Sequence, residues 1–204
     1  AQLRAQTESC LSVINELAQN ADVWDNQTGI DYILSHKNSF DMENEVDRWL
    51  YNLVLGTRYY PLRKYAEALP FLHNVTLTCD TLNSKVNIAS DPQILNVYYW
   101  EADCEFQTHA PKEVVLNKLQ KAKSLFEKYN QTGSNIYKMI ISDIEALQSV
   151  LYDNLGKIQT AIQYIVEGNH TKTIPLLEKI VEQWPPTQSL NNLMAFMQCL
   201  GNSY

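Results

Sequence analysis

The chain has 204 residues, enough for one ordinary domain or one elongated helical stack, with 45% apolar and 19% charged residues. That balance excludes a disordered chain, and 6 glycines and 7 prolines are too few turn signals for a β-sandwich of this length. The net charge of −7 repels phosphate and argues against nucleic-acid binding. No apolar run approaches the roughly 20 residues a bilayer-spanning helix needs, which predicts a soluble chain without membrane insertion.

Helical periodicity dominates from end to end. Apolar residues recur at three- and four-residue steps in Val46, Trp49, Leu50, Leu53 and Val54, and again in Val115, Leu116, Leu119, Ala122 and Phe126. Ile136, Ile140, Ile144, Leu147 and Leu151 form a third stripe, and Leu190, Leu193, Met194, Met197 and Leu200 a fourth. On the second of these segments Lys112, Lys118, Lys121 and Lys123 fall mostly on the opposite, solvated side. Punctuation divides the stripes: Tyr60-Pro61 closes one helix, and Asp91-Pro92 reads as an N-cap followed by proline at the first helical position. Ser134 offers another cap, and Trp184-Pro185-Pro186 ends one helix and restarts the next. Ten helices are predicted in chain order, at 2–20, 28–37, 42–59, 63–83, 92–107, 111–129, 134–154, 157–168, 171–184 and 188–200; Trp24–Gly29 and His36–Asn38, which overlap the ends of the second, look loop-like. The fold class is all-α.

Cys10, Cys79, Cys104 and Cys199 show neither a CxxC pair nor metal-ligand spacing, so they are read as buried thiols acting as small hydrophobes. Asn-x-Thr sequons begin at Asn26, Asn74, Asn130 and Asn169; about two would arise by chance among 18 asparagines, so they say little about glycosylation. Arg58, Arg63 and Lys64 interleave with Tyr59, Tyr60 and Tyr65; a solvated helix junction is the simpler reading of so short a basic cluster. The chain begins at Ala1 rather than Met, from which a removed leader or upstream domain is expected, with a periplasmic or secreted location favoured over a cytoplasmic one.

Two segments carry an internal resemblance. Leu55-Gly56, Tyr59 and Lys64-Tyr65-Ala66-Glu67-Ala68-Leu69-Pro70 form one, and Leu155-Gly156-Lys157-Ile158-Gln159-Thr160-Ala161-Ile162 the other. Both resemble the tetratricopeptide motif, a helical hairpin with a small residue where its two helices cross. The resemblance implies a right-handed stack of about five hairpins, an α-solenoid or superhelix, over 2–37, 42–83, 92–129, 134–168 and 171–200 of a single domain. Gly56, Tyr59, Ala68, Gly156 and Ala161 are its repeat-packing positions. Aligning Ala68, Val115 and Ala161 gives units of 47 and 46 residues, longer than the family's repeat of about 34. A second register makes Pro70 and Pro175 equivalent, 105 residues apart, with Gly168-Asn169 as the turn. The even spacing of the first register favours it.

Family members often bind peptides on a concave face lined by the first helix of each hairpin. The matching stretch of the 42–59 helix has Leu50, Leu53 and Thr57 and lacks the basic residues of a carboxylate clamp. Leu53, Thr57, Tyr60, Tyr98, Tyr99 and Trp100 are the candidate groove wall, weighed against aromatic packing between hairpins. Glu101, Glu105 and His109 share a helical spacing, but no Glu-x-x-His pair supplies a second ligand set, so no metal site is assigned. His36, His73, His109 and His170 belong to no nucleophile motif, and no phosphate-cradling loop or cofactor motif is present. The expected function is a non-enzymatic protein or peptide scaffold, with a homodimer left open and no catalytic residue or cofactor. An extracytoplasmic sensory or substrate-capture domain of a longer receptor is the alternative, and an all-α enzyme with an unrecognised site the third.

Overall fold

The computed structural model describes residues 2–86, 91–149 and 153–183, and every regular element among them is helical. In chain order these are α1 (Gln2–Gln19), α2 (Asn26–Ser35), a 3-10 turn (Lys37–Ser39), α3 (Glu45–Tyr59), α4 (Tyr65–Val86), α5 (Pro92–Gln107) and α6 (Lys112–Lys128). They continue with α7 (Asn135–Leu147), α8 (Leu155–Val166) and α9 (His170–Glu182). The predicted helix at 188–200 and Cys199 lie outside the described residues. The chain divides into two compact units, Ala1–Ile140 and Ile141–Tyr204.

Helix starts follow side-chain caps, because the first turn leaves its N–H groups without backbone acceptors. Asp25 accepts from Thr28 N at 2.7 Å, which starts α2 at Asn26 inside the stretch expected to be loop. Asn44 accepts from Val46 N and Asp47 N at 2.9 and 3.2 Å, so α3 begins three residues later than its apolar pattern suggested. Asp91 caps α5 through Gln93 N at 2.8 Å with Pro92 at the first position, and Ser134 Oγ accepts from Tyr137 N at 3.1 Å.

Helix ends repeat one device. Arg63, His109, Asn130 and Gly168 all take the left-handed conformation, at φ 57°, 63°, 56° and 69°. In each case the next N–H returns to a carbonyl five residues back: Lys64 to Tyr59, Ala110 to Glu105, Gln131 to Phe126 and Asn169 to Tyr164. This is the Schellman closure, which satisfies the last carbonyls of a helix. Glycine is its usual residue, and three of these four positions lack it.

In the first unit α1, α2, the 3-10 turn and α3 share a core of Cys10, Val13, Leu17, Ile30, Ile33, Phe40, Tyr51 and Leu55. Helix α3 packs on α4, α4 on α5 and α5 on α6. The closest approach is at Gly56, where a Cβ would stand 2.7 Å from Leu72 Cδ2 and 3.3 Å from Leu72 N. Tyr59 stacks flat on Phe71 at 5.8 Å across the same pair, and Ala68 is fully buried. Helix α6 contributes Val115, Leu119, Ala122 and Phe126, one face at heptad spacing with every member buried. Each large one stabilises by about 1.5–3 kcal/mol on burial. Cys10, Cys79 and Cys104 are buried free thiols; burial pushes Cys10 up to about 11, with Asp47 adding to it, and Cys104 up to about 12.

In the second unit α8 packs on α9, with Ala161, Leu177 and Ile180 as its buried cluster. Its turn matches the α3–α4 turn, with the left-handed residue two positions before the next helix and a proline at that helix's sixth position, Pro70 in α4 and Pro175 in α9. The equivalence is that of the 105-residue register, in which Ala161 corresponds to Gly56. The other register relies on the segments 134–168 and 171–200, and both include residues outside those described. Gly156, expected to be a packing position, is exposed, and a Cβ there would meet nothing within 4 Å.

These two glycines carry opposite predictions. Gly56→Ala lowers the urea unfolding free energy by about 1–2 kcal/mol, since overpacking against the fully buried Leu72 and its backbone N outweighs alanine's helix propensity of about 1 kcal/mol. Gly156→Ala, with open space around it, raises stability by up to about 1 kcal/mol.

Candidate functional site

Helix α5 is the middle helix of α4–α5–α6 and is buried on most sides, including Ile94, Leu95, Val97, Ala102 and Cys104. It carries one fully buried charge, Glu101, whose side chain is 6% exposed. A buried carboxylate is tolerable only when hydrogen-bonded and paired. Its neighbours meet that need. His73 Nδ1 lies 2.7 Å from Oε1, Thr76 Oγ1 donates to Oε2 at 2.7 Å, and Lys118 Nζ donates to Oε1. Lys118 also reaches Glu105 at 3.5 Å. Burial pushes the Glu101 carboxyl up, but the donations from Lys118, His73 and Thr76 more than offset it and hold the group below its ordinary 4.5.

A parallel contact lies one turn along. Lys121 pairs with Asp80, Tyr98 Oη donates to Asp80 Oδ1 at 3.0 Å, and the Lys121 ammonium stands 5.4 Å from the Tyr98 ring centre. His73, Thr76, Asp80, Glu101, Lys118 and Lys121 line a cleft of about 220 Å³ between α4 and α6, with Leu77 exposed at its rim. Lys118 and Lys121, read from the sequence as part of a solvated face, therefore tie α6 to its neighbours. A separate recess of about 380 Å³ on α1 is walled by Leu11, Ser12, Asn15, Glu16 and Gln19 of that one helix, so no groups converge on it.

The opposite side of α5 is different. Asn96, Trp100, Asp103 and Gln107 form its less buried stripe. Tyr60, just beyond α3, stacks on Trp100 with centroids 5.2 Å apart and planes 23° apart, and its hydroxyl donates to Asp103 Oδ2 at 2.7 Å. Tyr65 meets Tyr60 edge-on at 5.9 Å. Burial, then the bond to Asp103, pushes the Tyr60 hydroxyl far above its ordinary 10.

The groove candidates thus separate. Tyr60 and Trp100 come together and are half-buried, and Leu53 and Thr57 are half-buried on α3. Tyr98 and Tyr99 are buried, 3% and 4% exposed, with Tyr98 packed between α4 and α6. Thr57 donates its hydroxyl to Leu53 O at 2.8 Å. The basic cluster is drawn into packing: the half-buried Arg58 side chain lies where a Cβ on Gly29 would collide with it, and Lys64 donates to Gln27 at 2.7 Å. Sequence reading missed the convergence on Glu101, for which the available signal was a charge whose neighbours one turn away include the apolar Val97, Tyr98 and Cys104. Among the described residues no three of the His, Cys, Asp and Glu side chains form a group able to hold a metal ion, and no helix is long and apolar enough to cross a membrane.

A carboxyl that titrates lower in the folded chain than in the unfolded one stabilises the fold above about pH 4.5, and this stabilisation is lost as pH falls through the folded value. Thermal melts between pH 7 and pH 3 should show this loss in the parent chain and a shallower decline in Glu101→Gln. At pH 7 the same variant is expected to lose about 2–3 kcal/mol, because Lys118 and His73 lose their buried charge partner.

Comparison with known proteins adds no relative: no family model, no curated protein and no solved structure matches this chain.

Proposed function

We propose that this chain is a non-enzymatic interaction module, a divergent tetratricopeptide-like right-handed stack of helical hairpins that holds a protein or peptide segment. The observation that carries the reading is the Tyr60–Trp100 stack, which joins the end of α3 to α5 and leaves both rings half-buried. Helices α3 and α5 open successive hairpins, and in folds of this kind such helices line the ligand face. Two hairpins with the same left-handed turn, a small residue before it and a proline after it, 105 residues apart, support the repeat reading. Half-buried aromatics with polar tips suit peptide recognition, since they offer large contact area at small entropic cost. The cleft between α4 and α6, about 220 Å³ and already filled with paired charges, is smaller than the roughly 300–1,000 Å³ of ordinary small-molecule sites. This favours a peptide over a captured metabolite.

Selection from a random dodecapeptide display library against the whole chain tests the reading. Recovered peptides should bind at micromolar Kd by fluorescence anisotropy. Trp100→Ala should weaken them at least about tenfold, and Leu77→Ala on the cleft rim should change Kd by less than about twofold. Circular dichroism would establish that both variants stay folded. Recovery of no peptide, or equal binding by parent and Trp100→Ala, would contradict it.

A further inference from the structure

The charges on the two sides of α5 are balanced differently. Glu101, Glu105 and Asp80, on the side of α4 and α6, are each within reach of a lysine. Asp103 is not. Its Oδ2 accepts from the Tyr60 hydroxyl at 2.7 Å and its Oδ1 from Gln107 Nε2 at 3.1 Å, both neutral donors, and no described cation pairs with it. The carboxylate is half-buried beside the stacked rings of Tyr60 and Trp100. Each of its oxygens has one bond from the protein and keeps further lone-pair capacity.

That combination selects for a cation. The negative faces of aromatic rings and an uncompensated carboxylate attract positive charge in the same sense, and partial burial weakens the screening that would otherwise reduce both. A planar guanidinium fits better than an ammonium, because it stacks on aromatic faces and can fork onto two carboxylate oxygens. The chain's net charge of −7 adds a long-range attraction for a basic partner. We infer that Tyr60, Trp100 and Asp103 form a receptor for an arginine side chain of the bound peptide. This inference rests on the reading of the α3–α5 face as a peptide surface and names the chemistry that face takes.

The test uses the whole chain and three fluorescein-labelled nonapeptides, made of three repeats of Arg-Gly-Gly, Lys-Gly-Gly or Gln-Gly-Gly, followed by anisotropy at fixed ionic strength. The arginine peptide should bind, the lysine peptide several-fold more weakly, and the glutamine peptide not measurably. Asp103→Asn keeps the shape and one acceptor oxygen while removing the charge, with the second bond kept only if Tyr60 or Gln107 turns to accept from the new amide, and should weaken the arginine peptide at least about tenfold. Trp100→Leu should do the same, with melting temperature reporting the fold of each variant. Asp31→Asn, which removes an exposed carboxylate from α2, should change affinity by less than about twofold. Equal losses in Asp103→Asn and Asp31→Asn would mean diffuse attraction to an acidic chain and would overturn the inference. So would glutamine binding equal to arginine, or no binding by any of the three. If library peptides depend on Trp100 but not on Asp103, the arginine receptor fails while the peptide surface stands. If neither residue matters, both fail.

Discussion

A single buried carboxylate sets the terms for the middle of the first unit. Glu101 sits on a helix that is buried on most sides, where an unpaired charge would cost several kcal/mol. It is satisfied by His73 and Thr76 from α4 and Lys118 from α6, so one side chain fixes the positions of three helices. Apolar packing at Val115, Leu119, Ala122 and Phe126 supplies much of the gross stability of α6. The polar contacts add register, since a slide of α6 by one turn would move Lys118 away from Glu101 and Lys121 away from Asp80.

That arrangement uses up one side of α5 and frees the other. Residues 101 and 103 lie about 200° apart around the helix, so Glu101 faces the lysines and Asp103 faces the end of α3. Tyr60 closes over Trp100 and Asp103 because the Gly56–Leu72 approach brings α3 and α4 close and the left-handed turn at Arg63 reverses the chain directly after it. The proposed binding face is therefore held by the Gly56–Leu72 packing behind it and by the Tyr60–Asp103 hydrogen bond.

Much of this architecture was legible in the residues. Periodicity and caps placed the helices closely, and Asp91-Pro92 and Ser134 cap as their types predict. Three things were not legible. The turns at Arg63, His109 and Asn130 lack the glycine that usually announces a left-handed residue, so only Gly168 could be read. The Glu101 contacts join residues 17 to 28 positions apart, on helices whose mutual rotation the pattern does not give. The aromatic groups looked alike in sequence, yet Tyr98 and Tyr99 are buried while Trp100, their neighbour, stays half-exposed beside Tyr60. Adjacent residues on a helix point about 100° apart, and which direction meets solvent depends on neighbours far along the chain.

The Glu101–Lys118 pair clamps α5 between its neighbours. A double-mutant cycle with Glu101→Gln and Lys118→Met, read as urea unfolding free energies at pH 7, measures the coupling directly. A clamping pair gives a favourable interaction of about 2 kcal/mol, with the double variant less damaged than the sum of the singles. Strict additivity would contradict it, leaving α5 held by apolar packing alone.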